Sequence, residues 1–263
     1  MSSPFHARHY LTGDPIEVTV SGDVISAILP GSDEGSTLPW IAPGLVDIQI
    51  NGFAGIDFNR PLSDQDAWDR ACSEILRHGC THFLATLVTN EAGETNDLLS
   101  GMVEARHRNP ANCIGFHMEG PFLNPDPGSR GAHNPDWMRP PSMPDLEQWQ
   151  ALSGSEVRLI TMAPEATGED ALEFIRAAVD RGVRISIGHS VATGEFLRRS
   201  IDAGATCWTH LGNAVQTPCH KFDNVIFHAL ARRELMASVI PDGHHIPTHA
   251  LEVICRSLGD RLI

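Results

Sequence analysis

Short apolar runs alternate along most of this chain with stretches whose apolar residues recur at helical spacing. The runs at 45–51, 81–88, 113–118, 157–162, 183–188, 205–209 and 236–240 read as strands, and 64–77, 95–107, 169–180, 193–203 and 248–258 as helices. Such alternation predicts a parallel sheet with helices outside it. Seven strands predict an α/β fold of the (β/α)8 TIM-type barrel class rather than an open sheet. Gly79, Gly182 and Gly204 each stand where a helical stretch stops and a strand is about to begin, which is C-cap chemistry.

The chain before this alternation is different. Residues 16–29 read Ile-Glu-Val-Thr-Val, then Ser21-Gly22-Asp23, then Val-Ile-Ser-Ala-Ile-Leu, a β-hairpin pattern followed by a Gly/Ser/Asp-rich link at 31–37. Residues 1–42 are therefore expected to form part of a small N-terminal β-domain, a partial β-sandwich, and residues 43–263 the barrel. An eighth strand is expected after the helix that ends near Leu258, but only its first residues precede Ile263, so the barrel is expected to be incomplete at strand 8. The hairpin likewise has no C-terminal strands to pair with, and a hairpin alone is marginal in water. On both counts the chain reads as a C-terminally truncated piece.

Composition narrows the function. A chain of 263 residues with 41% hydrophobic residues can bury a large core, and its formal net charge of −14 argues against nucleic acid or anionic membrane as a partner. No apolar run approaches the roughly 20 residues that span a bilayer, and the N-terminus is polar, so a cytoplasmic location is expected. The six cysteines lack any Cys-x-x-Cys pair, which reads as reduced thiols with neither a disulfide framework nor a cysteine-type zinc site.

Active sites of barrels lie at the C-terminal ends of the strands. Ligand-type residues recur there: Gln49 and Asn51, Thr89 and Asn90, Glu119, Glu165, His189, His210, then Asp242, His244 and His245. A lone histidine is most often a packing or surface residue, and this chain has 14. One Glu and two His at equivalent ends of three strands instead predict a divalent-metal site of Glu119, His189 and His210, with an open position for water or substrate, the arrangement of a hydrolase. Gln49 and Asn51 occupy the slots where a His-x-His pair would add ligands for another ion. Neutral amides there imply one metal instead of two; an equally compatible reading is that they only hydrogen-bond neighbouring loops. The turn-rich loop 128–135 is suited to folding over the site with His133 pointing in, against the plainer reading of a surface loop. His220 and Lys221 could meet an anionic group, or be solvated.

With these residues laid out, the chain resembles the N-acetylglucosamine-6-phosphate deacetylases of the amidohydrolase superfamily. The matching segments, in the family's order, are Pro43 to Gly52, His117-Met118-Glu119-Gly120-Pro121, Gly188-His189-Ser190, Thr209-His210-Leu211-Gly212-Asn213-Ala214 and Asp242-Gly243-His244-His245. The resemblance implies hydrolysis of the N-acetyl group of N-acetylglucosamine-6-phosphate to glucosamine-6-phosphate and acetate. It makes Glu119, His189 and His210 the ligands of one divalent ion, zinc before iron or cobalt. His133, with Ala132 beside it, would contact the substrate amide as a catalytic residue, His245 and Asp242 the sugar, and Asn213 and Ala214 the phosphate. It also implies a small-molecule amino-sugar substrate and a homodimer.

Two departures qualify this expectation. The family's general acid/base Asp ends the eighth strand, beyond Ile263. Its absence costs about 10²–10⁴ in rate, so residues 1–263 alone are expected to be inactive. Where better-known members place an Arg for the 6-phosphate, this chain offers Lys221, a point charge without the bidentate fork. The alternatives are a deacetylase or other amidohydrolase acting on a non-phosphorylated or different N-acyl substrate, and a non-catalytic metal- or sugar-binding protein.

Overall fold

The computed structural model describes residues 4–33 and 37–263, in two compact units, Met1–Leu45 and Val46–Ile263. In the first unit β1 (Phe5–His9), β2 (Pro15–Ser21), β3 (Val24–Pro30) and β4 (Trp40–Ile41) form one sheet in the order β3-β2-β1-β4. β2 and β3 are the predicted hairpin, turned by the two residues Gly22 and Asp23, with Gly22 at φ 62° as such tight turns require. Ile16 and Val18, two apart on β2, bury one face together with Ala7 of β1. Strands of the same N-terminal segment extend the hairpin: β1 pairs antiparallel with β2, and β4 parallel with β1. Both strands escaped notice because Phe-His-Ala-Arg-His buries only Ala7 among its apolar residues, and β4 is two residues long. Of the Gly/Ser/Asp-rich link, residues 34–36 lie outside the described residues.

The second unit begins with β5 (Leu45–Ile50), followed by a two-residue hairpin of β6 (Gly52–Phe53) and β7 (Ile56–Asp57). Then come α1 (Ala67–Arg77), β8 (Cys80–Val88), α2 (Ala92–Arg108), β9 (Cys113–Glu119), a short α3 (Pro127–Arg130) and α4 (Met143–Ser153). β10 (Val157–Met162), α5 (Glu169–Asp180), β11 (Arg184–Ile187), α6 (Gly194–Asp202), β12 (Ala205–Trp208), α7 (Val225–Ala231), β13 (Met236–Ala237) and α8 (Thr248–Leu258) complete it. The seven long-sheet strands lie side by side in chain order, from β5 through β8, β9, β10, β11 and β12 to β13. The pairings from β8 to β13 are parallel. Leu262 bridges Ala237 in parallel, and the amide of Ile263 donates to the Ala237 carbonyl at 2.9 Å, so the last two residues add the start of a further strand beside β13. This is the TIM-type α/β fold with its eighth strand begun.

The helices bury the stripes their spacing dictates. On α1 these are Trp68, Ala71, Cys72 and Ile75, and on α5 Ala171, Leu172, Ile175 and Ala178. Phe122 links two helices to the sheet, with its ring 5.7 Å from Trp149 of α4 and 5.2 Å from Phe174 of α5. Removing either large side chain would cost about 3–5 kcal/mol. The sequence reading passed over α4 because the proline-rich segment before it reads as loop. Its caps were nonetheless written in the sequence: the Ser142 hydroxyl accepts from the Asp145 amide at 3.2 Å, Pro144 sits in the first turn, and Gly154 stops the helix at φ 65°.

Candidate metal centre

Glu119 is the last residue of β9, and His189 and His210 each stand two residues beyond β11 and β12. The three side chains meet. Oε1 of Glu119 lies 3.2 Å from Nε2 of His189 and 2.8 Å from Nε2 of His210. One ligand atom from each residue falls within 4.8 Å of the others, and all three residues are buried.

Local backbone geometry makes this convergence possible. His189 and His210 adopt φ of 50° and 33°, a left-handed conformation that costs a residue with a Cβ roughly 1–2 kcal/mol and recurs at functional sites. Gly188 lets the chain pass closely: a Cβ there would stand 2.7 Å from Thr161 Cγ2 and 2.9 Å from Thr209 Cβ. Gly120, at φ 88°, could not carry a Cβ without overlapping the Thr89 hydroxyl.

The hydrogen bonds decide which atoms face the centre. Nδ1 of His189 lies 2.9 Å from the Ser129 carbonyl oxygen, which can only accept, so Nδ1 carries a proton and Nε2 is the atom left to face Glu119. Oε1 of Glu119 can only accept, so at 3.2 Å a proton or a cation lies between it and Nε2. Burial raises the Glu119 carboxyl, but the hydrogen bonds and charges of His189 and His210 outweigh it and hold the group well below its ordinary value, ionised. One carboxylate oxygen and two imidazole nitrogens form a donor set that fits a divalent ion such as zinc. Nδ1 of His210 is buried without a partner among the described residues.

A polar layer crosses the barrel below. Nδ1 of His117 donates to the Ile48 carbonyl at 2.9 Å, so its Nε2 accepts from Thr161 Oγ1 at 2.7 Å. Thr161 in turn meets Thr209 Oγ1 at 2.6 Å, and Thr209 meets Ser186 Oγ at 2.6 Å. The Ile48 carbonyl fixes the direction of the chain: Ser186 donates to Thr209, Thr209 to Thr161 and Thr161 to His117. Burial pushes the His117 imidazole down to about 4 against the pull of Glu119, keeping it neutral.

His133 reaches the same centre. Its Nε2 lies 3.8 Å from Oε2 of Glu119, its ring stands edge-on to His189 at 4.4 Å, and its Nδ1 is 2.8 Å from Thr89 Oγ1. Burial lowers it to about 4 as well. The loop that carries it is turned by Asp126, whose carboxylate caps the Gly128 amide at 2.9 Å. Gly131, next to Ala132, sits against both His189 and Ala214: a Cβ there would lie 3.3 Å from the ring and 3.8 Å from the Ala214 Cβ. Asn213 donates both its backbone amide and its Nδ2 to the His210 carbonyl, at 2.9 and 3.3 Å.

Other expected residues are not drawn into hydrogen-bond contact with Glu119, His189 or His210. Lys221 is exposed. Asp242 accepts from the His244 and His245 amides at 2.8 and 2.9 Å and from Nδ1 of His245 at 2.7 Å, bonds that hold its carboxyl low and leave Nε2 of His245 free to present. Gln49 is half-buried and Asn51 exposed, and neither belongs to the ligand group. Glu165 is occupied by Asn124, Ser190 and Val191.

Sequence reasoning gave no role to Ser129 or His117 and none to Thr89 beyond its strand end. His117 was the legible one: two residues before Glu119 on a strand, it must point to the same side of the sheet.

The amidohydrolase family profile matches residues 40–253. The chain is 28% identical over 272 residues to an N-acetylgalactosamine-6-phosphate deacetylase of Escherichia coli O157:H7, covering all of this chain and 70% of that protein. It is 33% identical over 211 residues to the N-acetylglucosamine-6-phosphate deacetylase of Bacillus subtilis (strain 168), covering 78% of this chain and 52% of that one. The chain thus spans between half and about 70% of the length of these relatives. Among solved structures, the N-acetyl-D-glucosamine-6-phosphate deacetylase of Mycobacterium smegmatis superposes with a TM-score of 0.85 at 27% identity, over 99% of this chain and 70% of that one. A profile match over most of the chain, on a TIM-type fold with this cluster at its strand ends, has one reading: the chain belongs to the amidohydrolase family.

Proposed function

We propose that this chain is the metal-binding part of a deacetylase that hydrolyses the N-acetyl group of N-acetylglucosamine-6-phosphate, giving glucosamine-6-phosphate and acetate. The observation that carries the reading is the pair of imidazole nitrogens, each from a different strand end, closing on one oxygen of Glu119. A single divalent ion, zinc before iron or cobalt, would be held by Glu119, His189 and His210, supplying a nucleophile at neutral pH and polarising the acetamide carbonyl.

The chain's own residues do the rest. The buried, ionised Glu119 fixes the charge of the centre. Neutral His133, held through Nδ1 by Thr89, presents Nε2 towards the space beside Glu119, where a substrate amide would lie. From there Nε2 is within reach of that amide and would orient it. By the resemblance, Ala132 would lie beside it. By the resemblance, Asn213, anchored to the His210 carbonyl, and Ala214 would meet the phosphate, with Lys221 adding positive charge, and His245, whose ring Asp242 holds, would meet a sugar hydroxyl. The neutral amides Gln49 and Asn51 are consistent with one ion rather than two. The resemblance carries the further reading of a cytoplasmic homodimer; no described helix is long and apolar enough to cross a membrane.

The test is acetate release by the purified protein from N-acetylglucosamine-6-phosphate and from plain N-acetylglucosamine. Strong preference for the phosphorylated sugar, reduced by Lys221→Ala through a higher KM, supports the reading. Equal rates on both sugars would end the phosphate assignment in favour of another N-acyl substrate, and no hydrolysis of either would favour a binding protein.

A further inference from the structure

Glu165, in the turn after β10, touches none of the three ligand side chains, yet its carboxylate joins the loops that follow two of the strands bearing them. Oε1 accepts from Asn124 Nδ2 at 2.9 Å, in the loop after β9, and from the Val191 amide at 2.7 Å, in the loop after β11. Oε2 accepts from the Ser190 hydroxyl at 2.7 Å, and Ser190 Oγ accepts in turn from the Ala192 amide at 3.0 Å. The Asn124 amide closes the same circuit by donating to the His189 carbonyl at 3.3 Å. His189 itself is held in a left-handed conformation that a residue with a Cβ disfavours. The two residues that follow it, Ser190 and Val191, are the ones the Glu165 carboxylate grips.

We infer that Glu165 is a positioning residue for the metal centre: by holding Ser190 and Val191 it keeps His189 in the backbone conformation that aims Nε2 at Glu119. Hydrogen bonds accepted by a carboxylate are the stronger kind, and two of them hold the residues that follow His189 while the third ties in Asn124. The inference rests on the metal reading above and adds a residue outside the ligand set to it.

Cobalt(II) serves as the probe, because its visible absorption reports ligand number and geometry. The full chain is stripped of metal and titrated with Co²⁺ in competition with a chelator, alongside Glu165→Ala, Glu165→Gln and Ser190→Ala. Loss of an outer partner of a metal ligand costs about 10–100-fold in metal affinity. Glu165→Ala is expected at about the tenfold end, with an altered absorption band, while Glu165→Gln, which keeps an acceptor oxygen for the Val191 amide and Asn124, recovers most of the affinity. Ser190→Ala removes one bond of three and is expected to shift affinity in the same direction by a few-fold, which keeps the inference testable if Glu165→Ala does not fold. Wild-type affinity and spectrum in folded Glu165→Ala, or in Ser190→Ala should that variant alone fold, would overturn the positioning role and leave the metal reading intact. No Co²⁺ uptake by the wild-type chain would overturn the metal reading, and the role of Glu165 with it.

Discussion

Nδ1 of His189 donates to the carbonyl oxygen of Ser129 at 2.9 Å, and this bond leaves the other nitrogen of the ring, Nε2, to face Glu119 at 3.2 Å. The tautomer is set by the loop after β9, not by the centre. Nitrogen NMR of the metal-loaded protein should therefore show a protonated Nδ1 and an unprotonated Nε2 for His189. A proton on Nε2 in the loaded state would contradict the assignment.

Thr89 stands behind His133 as Ser129 stands behind His189. Thr89→Val keeps the volume but removes the hydroxyl 2.8 Å from Nδ1, freeing the ring to turn away from Glu119. About tenfold loss in kcat is expected, the modest end of what a positioned proton-transferring or hydrogen-bonding group contributes. Bound metal should be unchanged and Thr89→Ser should restore activity. Steady-state kinetics with metal analysis on the same samples checks this.

The polar layer under the centre gives a pH signature. His117 takes up a proton at about 6.5 in the unfolded chain but only near 4 when folded, because it is buried. Between these values the unfolded state holds more protons, so stability falls as pH is lowered from about 6.5 to 4. His117→Asn lacks this group. The stability difference between wild type and variant, measured by denaturant unfolding without metal, should shrink by about 2 kcal/mol between pH 7 and pH 4.5. A difference independent of pH would show that His117 is not held neutral.

Gly120→Ala tests the shape of the strand end. Its φ of 88° and the overlap of an added methyl with Thr89 both disfavour the variant. We expect a loss of about 2–3 kcal/mol and a lower melting temperature, with the damage felt at Glu119 as weaker metal binding.

The sequence made the barrel strands and the three meeting residues legible for one physical reason. A buried parallel strand is an uninterrupted apolar run, so a Glu or His at its end stands out against what precedes it. Glu119, His189 and His210 stood out in this way, and the structure brings them within reach of one ion. Ser129 and the Ile48 carbonyl act through backbone atoms, which leave no mark in a sequence. Thr89 and Glu165 act on loops whose path depends on the whole barrel mouth. β1 was hidden by burying only Ala7, and α4 by the prolines before it, although Ser142 and Gly154 marked its ends.

The central claim is that Glu119, His189 and His210 share one cation. Metal analysis of the purified chain after dialysis against metal-free buffer tests it most directly. The account predicts about one equivalent of zinc, or of iron or cobalt, per chain, lost in Glu119→Ala and in His189→Ala while circular dichroism stays that of the folded protein. A folded wild-type chain that holds no metal, or alanine variants that keep it in full, would contradict the account.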